Sequence, residues 1–546
     1  MRNVKSILAL LAVTFAVMMS LPFLVPHLGF LALFGIVPLL MMEEVADAHG
    51  VKHFFWWYYA AFVLWNALTT FWVCNATVGG GIFAVVANAA QMALIFAVFR
   101  FSRKRLSPIL SYVLLAALWI AWERWYLVHA QISWPWLVLG NAFARDIRVI
   151  QWYEYTGVLG GSLWVWTVNI TAWLLLKSLM QGSFGTLNIK ARTAAAIFAA
   201  AVLFAPFAWS LSIWNRFEEK SEDTLRTVIA QPNFDPYQKF QALSQAQQDV
   251  ILLDLLQKGL KGSQPGRPLL MLAPETFTSD VDLDEVESGY TWNRFRLFLD
   301  DWPDANLLMG ASTHQFYETE ERPSINARHL RDGRWYESHN SALMMDRTGR
   351  TGIFHKSKLV VGTELTPYPK IFVPIDNMLG GVMGRCIGQD SVTVLHAVAY
   401  DAEGNVSEDI PVGSVICYES IYGEYCTEYV RKGAKALAVI TNDAWWGDTP
   451  GYRQHLSYSS LRAIETRRDI ARCANTGISC FINQRGEISQ PTPWWESAVI
   501  TGDLNLCDET TFFVENGDVT GRVCTFVALL MMLLLLVREI RRRTEL

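Results

Sequence analysis

Charge is scarce in this chain. Only 18% of its 546 residues are Asp, Glu, Lys or Arg, while 52% are hydrophobic, and that balance excludes a disordered or collagen-like chain. Cysteine is sparse as well. The eight residues Cys74, Cys386, Cys417, Cys426, Cys473, Cys480, Cys507 and Cys524 form no C-x-x-C pair, and no paired histidine spacing accompanies them. A zinc site and a dense disulfide framework are therefore not indicated, and neither a metal nor a cofactor is expected. The chain lacks a repeat of 20 to 50 residues and a Gly/Ser/Pro linker within its polar half. It also lacks a basic stripe with interleaved aromatics; with 46 basic against 51 acidic residues, nucleic acid is not an expected partner.

What charge there is lies unevenly. Residues 1–214 hold 13 Lys/Arg and 6 Asp/Glu, and the remainder holds 33 and 45. The first part reads as membrane-embedded and the second as water-soluble. A hydrocarbon core of about 30 Å needs roughly 20 apolar residues per helix. Eight near-continuous apolar runs approach that length, at 6–24, 26–42, 54–75, 82–100, 108–129, 161–180, 193–214 and 520–537. No small-residue cleavage site follows the first run and the second begins at once, so an anchor is expected there and not a signal peptide. Positive residues beside a spanning helix resist translocation. Arg2 with Lys5, the Arg100–Arg105 cluster, Lys177 with Lys190 and Arg192, and Arg538 with Arg541–Arg543 all fall inside when the eight helices are counted alternately; Arg145 and Arg148 fall outside. The expected domains are 1–214 with seven helices, 215–519 as an extracytoplasmic catalytic domain, and 520–546 as the eighth helix and a basic cytoplasmic tail.

Between 215 and 519 short apolar strands, such as 227–230, 269–273, 306–310, 341–345, 413–417 and 436–441, alternate with helical stretches at 236–259 and 453–471. The pattern predicts an α/β layered domain. Three polar residues follow strands at points that allow a shared cleft: Glu275 in RPLLMLAPET, Lys356 in RTGIFHKSKL and Cys417 in VGSVICYES. A lone cysteine at a strand end is usually a small buried hydrophobe. Together, however, a thiol, a carboxylate and an ammonium make a complete acyl-transfer set.

That order, with its local contexts P-E, F-H-K-S-K-L and I-C-Y-E, resembles the nitrilase superfamily of carbon–nitrogen hydrolases, and more specifically the apolipoprotein N-acyltransferases of bacterial envelopes. The resemblance runs through Trp134 to Gly140, Tyr155 to Ser162, Gln231 to Pro236, Ala273 to Glu275, Lys356 to Glu364, Cys417 to Glu419, Asn442 to Gly447, Gln454-His455 and Ala474 to Gly477. It departs at Leu359-Val-Val-Gly-Thr-Glu364, where the family usually reads L-V-P-F-G-E, at Phe240 in place of tryptophan, and at Trp446 in place of phenylalanine.

The resemblance implies eight transmembrane helices with an extracytoplasmic nitrilase-like αββα sandwich in a bacterial inner membrane. It implies a ping-pong reaction: Glu275 deprotonates Cys417, the thiolate takes an acyl chain from a phospholipid, and the thioester passes it to the α-amino group of a diacylglyceryl-cysteine apolipoprotein. Lys356 serves the oxyanion, with Glu364 and Glu419 in support. Tyr418, Asn442, Phe240, Trp445 and Trp446 are substrate-binding candidates, the two tryptophans as an interfacial lid. The rival enzyme is a membrane-tethered amidase that uses the same three residues on a small amide with water as acceptor. A non-enzymatic scaffold or transporter is disfavoured by the presence of all three residues and by the near absence of intramembrane acids.

Overall fold

The structure is a computed structural model and describes residues 2–236, 239, 243–261 and 266–544. It comprises two compact units. One is Met1–Ala130, Trp134–Phe217 and Asn516–Leu546; the other is Gln131–Ser133 with Glu218–Glu515.

The first unit is helical. Among the described residues six helices have the length and hydropathy to cross a membrane: Asn3–Leu24, Gly29–Ala48, Val78–Arg103, Tyr153–Met180, Ile189–Arg216 and Val519–Thr544. Two of the eight runs expected from the sequence fall short of that measure, though both are helical. Phe55–Thr70 has only 16 residues, and Pro108–Val128 carries Glu123, Arg124 and several Trp and Tyr side chains that lower its hydropathy. The Gly29–Ala48 run is broken at Ile36. The amides of Ile36 and Val37 donate to Asn169 Oδ1 at 2.8 and 3.2 Å, so the break leaves neither amide unpaired away from water. In Ile189–Arg216 only Ser210 is buried, while Ile197, Phe198 and Phe204 are exposed. Such a surface is stable in lipid and not in water.

Charged side chains collect where several helices end. Arg103 meets Glu43 at 3.4 Å and Glu44 at 3.3 Å, Lys177 meets Glu44 at 2.7 Å, and Arg105 meets Glu539 at 2.6 Å. The C-terminal ends of Val37–Ala48, Val78–Arg103, Tyr153–Met180 and Val519–Thr544 therefore lie together.

The second unit is built on two sheets. The first joins β1 (Asp223–Gln231), β2 (Leu269–Leu272), β3 (Thr278–Asp282), β4 (Ala305–Tyr317), β5 (Arg328–His329), β6 (Trp335–Met345), β7 (Thr351–His355) and, late in the chain, β14 (Ala498–Leu506). Its order is β14-β1-β2-β4-β6-β5, with β3 paired to β4 and β7 to β6. The second sheet holds β8 (Val394–Tyr400), β9 (Val406–Ile416), β10 (Ala436–Thr441), β11 (Ile470–Ala474), β12 (Cys480–Ile482) and β13 (Ile488–Ser489), in the order β13-β12-β11-β10-β9-β8. Parallel pairing is confined to the centre: β1-β2-β4 with β3 in one sheet, β9-β10-β11 in the other. Strands β2, β10 and β11 are buried along their whole length; β2 and β10 accordingly read as apolar runs, whereas β11 carries the buried Arg472.

Helices Gln245–Gly259 and Tyr290–Asp300 cover the first sheet, packing Leu252, Leu256, Trp292 and Phe295 onto Val228, Met271 and Leu307. Gly423–Arg431 and Pro450–Thr466 cover the second. The layering is thus αββα. The helix expected at 453–471 stops earlier, because Arg467 takes a left-handed conformation (φ 49°) and the chain enters β11 at Ile470.

Asn306 ties the sheets together. Strand β8 lies at an edge, and the free N–H and C=O of its Val398 pair with Asn306 Oδ1 and Nδ2, both at 2.9 Å. Truncation would strand both buried groups, at a cost of about 2–4 kcal/mol. Asn306→Ala is therefore expected to lower the thermal midpoint of the detergent-solubilised protein by about 5–10 °C; an unchanged midpoint would show that the bridge is dispensable.

Candidate active site

Four segments that leave strand ends converge in the second unit: Glu275 beyond β2, Lys356 directly after β7, Cys417 directly after β9 and Asn442 directly after β10. Carboxyl ends of parallel strands are where an α/β sheet presents side chains to a ligand. The turn at Glu275 fits closely under β4. A Cβ on Gly310 would lie 2.5 Å from the Glu275 Cα, so only glycine is accommodated there.

Lys356 is buried, and its ammonium donates to Glu275 Oε1 and Glu364 Oε1, each at 2.9 Å. Burial disfavours the charge, but Glu275, Glu364 and Cys417 outweigh it and hold the lysine pKa well above its ordinary value. Asn340, from the middle of β6, donates through Nδ2 to the same two oxygens, at 2.8 Å to Glu275 and 2.6 Å to Glu364. The Asn442 amide completes the set by donating to Glu275 Oε2 at 3.0 Å. Glu275 thus accepts from three donors, and its carboxylate is fixed in orientation.

Cys417 is buried at 8% exposure and adopts φ 51°, a left-handed conformation that costs a non-glycine residue about 1–2 kcal/mol. Strain of this kind concentrates at functional sites. Burial, reinforced by Glu275 and Asp443 and opposed by Lys356, pushes the thiol pKa well above its usual range. At neutral pH the resting group is a thiol, and attack by sulfur needs a base in place.

Glu419 does not touch the Lys356 ammonium. Its Oε1 accepts from the Ser357 amide at 2.7 Å, the Lys358 amide at 3.3 Å and the Tyr425 hydroxyl at 2.7 Å; its Oε2 accepts from the Ile416 amide at 2.8 Å. The carboxylate stitches the residues after Lys356 to the residue before Cys417. Burial raises its pKa, against the opposing pull of these donors and of Lys356.

Of the substrate-binding candidates, Tyr418 is buried and donates to the Ser133 carbonyl at 3.3 Å. Trp445 is 39% exposed, and Trp446 stands edge-on to the His455 ring with centroids 5.5 Å apart. Phe240 lies outside the described residues. Sequence reading assigned no role to Asn340, Asp443, His455, Ser420 or Arg472. His455 Nε2 lies 3.1 Å from the Cys417 carbonyl oxygen, and its Nδ1 lies 2.8 Å from Asp443 Oδ1. Arg472 donates to Asp443 Oδ2 at 2.7 Å. Burial would raise the Asp443 pKa, but Arg472 and His455 hold it at about 2. Cys417, Asp443 and His455 bring ligand-type atoms within 4.8 Å of one another; the Arg472 guanidinium already supplies positive charge at that point, so a metal ion would be repelled.

The arrangement can do acyl transfer: a thiol nucleophile, a fixed carboxylate and a buried ammonium meet at one set of strand ends. Residues 15–171 match the apolipoprotein N-acyltransferase N-terminal domain, and residues 320–511 match the carbon-nitrogen hydrolase family. An apolipoprotein N-acyltransferase of Chlorobaculum tepidum is 28% identical over 522 residues, spanning 94% of this chain and 93% of the relative. One of Geobacter metallireducens is 25% identical over 530 residues, spanning 94% and 92%. Over nearly its whole length the chain is similar to apolipoprotein N-acyltransferases. Among solved structures, an amidase from Nesterenkonia sp. is 16% identical with a TM-score of 0.34, covering 55% of this chain and 95% of its own. The hydrolase match takes in Lys356, Glu364, Cys417, Glu419 and Asn442, whereas Glu275 lies before it.

Removing Glu419 would leave its buried amide and hydroxyl donors without an acceptor. Glu419→Ala is expected to cost at least about 3 kcal/mol and to lower the thermal midpoint more than Glu419→Gln, which keeps one acceptor oxygen. Equal, wild-type-like midpoints for both variants would contradict the stitching role.

Proposed function

We propose that this protein moves one acyl chain from a membrane phospholipid, through a thioester on Cys417, to the α-amino group of the N-terminal diacylglyceryl-cysteine of a lipoprotein. The observation that carries the reading is the Lys356 ammonium shared by Glu275 and Glu364 beside a buried thiol, in a chain that matches the apolipoprotein N-acyltransferase N-terminal domain and the carbon-nitrogen hydrolase family.

In the first step Glu275 takes the Cys417 proton as sulfur attacks the ester carbonyl. The oxyanion is met by the Lys356 ammonium and by a backbone N–H near Cys417. Collapse breaks the ester C–O bond, Glu275 returns the proton to the leaving oxygen, and a lysophospholipid departs. In the second step the lipoprotein amine attacks the thioester carbonyl and gives a proton to Glu275. That proton passes to the departing sulfur as the amide forms. Glu364 holds Lys356 directly, and Glu419 sets the backbone on either side of the pair. Trp445, Trp446, Tyr418, Asn442 and Phe240 serve lipid binding.

The topology of the proposal is eight spans, with residues 1–214 and 520–546 in a bacterial inner membrane and 215–519 on the periplasmic side. The gathering of Glu43, Glu44, Arg103, Arg105, Lys177 and Glu539 at one end of the helical unit supports it, since alternate counting puts all of these on the cytoplasmic side.

Given phospholipid labelled in its acyl chains and a diacylglyceryl-cysteine peptide, the wild-type protein is expected to yield labelled N-acyl peptide. Cys417→Ala should yield none, while Cys386→Ala, Cys426→Ala, Cys473→Ala and Cys480→Ala retain most activity. Hydrolysis of small amides with no labelled peptide would favour the amidase instead. For the topology, a reporter active only in the cytoplasm should work when joined after Arg543 and stay silent when joined after Glu219; activity after Glu219 would contradict the outward placement.

A further inference from the structure

The Cys417 carbonyl is an unusual point of convergence. Ser420 Oγ donates to it at 2.7 Å, and His455 Nε2 stands 3.1 Å from it and 3.0 Å from Ser420 Oγ. Since the Ser420 proton is committed to the carbonyl, Nε2 faces oxygen lone pairs on both neighbours, and only an Nε2–H satisfies the arrangement. On the other side of the ring Nδ1 lies 2.8 Å from Asp443 Oδ1, an acceptor. Asp443 in turn is held by Arg472 at 2.7 Å and by the Thr441 hydroxyl at 2.9 Å. Arg472 is fixed by donating to Ser459 Oγ at 3.0 Å. Asp443, His455 and Arg472 come from three successive elements, all fully buried. Gly477 is part of the fit, because a Cβ there would approach Asp443 Oδ2 to 2.8 Å.

We propose that His455, oriented by Asp443 and Arg472, is a positioning residue that pins Cys417 by its main-chain carbonyl and thereby keeps the sulfur in its left-handed, attack-ready conformation. The inference rests on the reading of Cys417 as nucleophile and goes beyond it by assigning the groups that hold it. His455 acts on Cys417 through the main-chain carbonyl. Trp446 meets the same ring in a T-shaped contact, so the turn Asp443–Trp446 and the proposed nucleophile share one anchor.

The test uses p-nitrophenyl acetate, an activated ester whose p-nitrophenolate burst reports attack by the Cys417 sulfur whatever the natural donor. In the full-length protein in detergent, His455→Met, which fills space without a donor, is expected to slow the burst roughly 100-fold, the order of loss from a misplaced reacting group. His455→Gln, whose side-chain N–H reaches the same carbonyl, should restore the burst to within roughly 10-fold of wild type. Rates are taken per folded protein, and KM for the ester should change little. Burst rates equal to wild type in His455→Met would overturn the proposal. So would equal losses in His455→Met and His455→Gln, which would mean that the ring only packs. A normal wild-type burst without lipid-derived acyl transfer would count against the lipid substrate and leave the positioning role intact. No wild-type burst at all would overturn both.

Discussion

Everything in the candidate site depends on one buried ammonium. Lys356 Nζ binds two carboxylates at 2.9 Å each in a place closed to water. Without it the buried Glu275 and the partly exposed Glu364 would face each other as like charges, and breaking a buried ion pair such as Lys356–Glu275 typically costs about 3–5 kcal/mol. The lysine cannot balance both carboxylates alone. Asn340 Nδ2 and the amides of Asn442 and Val360 supply neutral donors for the charge that remains. The result is a dry, negatively biased cluster whose geometry is set by fixed donors, the kind of preorganisation from which enzymes draw transition-state stabilisation.

That bias has a direct chemical consequence. Burial and the neighbouring Glu275 disfavour a thiolate, so Cys417 rests as a thiol; in the proposed reaction its proton passes to Glu275 while Lys356 meets the new charge. Burial of this kind would also serve the proposed second half-reaction, because an amine competes with water for a thioester only where water is scarce. Glu419 and the Asp443–His455–Arg472 group work on the frame: one joins the backbone of Ser357, Lys358 and Ile416, the other holds the carbonyl of Cys417.

How much of this is legible in the sequence follows from where each residue sits. Cys417 stands out because it closes the apolar end of β9 and Glu275 because it follows the apolar β2 closely, whereas Lys356 follows the mixed β7 and is legible through its F-H-K-S-K-L context. Asn340 does not stand out, because it lies inside β6 in the polar stretch Ser338-His-Asn-Ser341, and only strand pairing brings it to the carboxylates. Asp443, His455 and Arg472 span 30 residues across a turn, a helix and a strand, so their meeting is a product of tertiary structure alone. The end of the helix at Arg467 is likewise hidden, since Arg467-Arg468-Asp469 contains neither Gly nor Pro. Strands β5, β12 and β13, at or next to sheet edges, are two or three residues long and give no period to read. Apolar length shows the helical unit readily, but Phe55–Thr70 and Pro108–Val128 illustrate how short or aromatic-rich helices escape a length-and-hydropathy measure.

The central claim is that Cys417 carries the acyl chain between donor and acceptor. Intact-mass measurement of the protein incubated with phospholipid and no acceptor tests it most directly. The account predicts one added acyl mass, mapped to the peptide containing Cys417, released by hydroxylamine and discharged when a diacylglyceryl-cysteine peptide is added. An unmodified protein that still produces N-acylated peptide, or an adduct on any other residue, would contradict it.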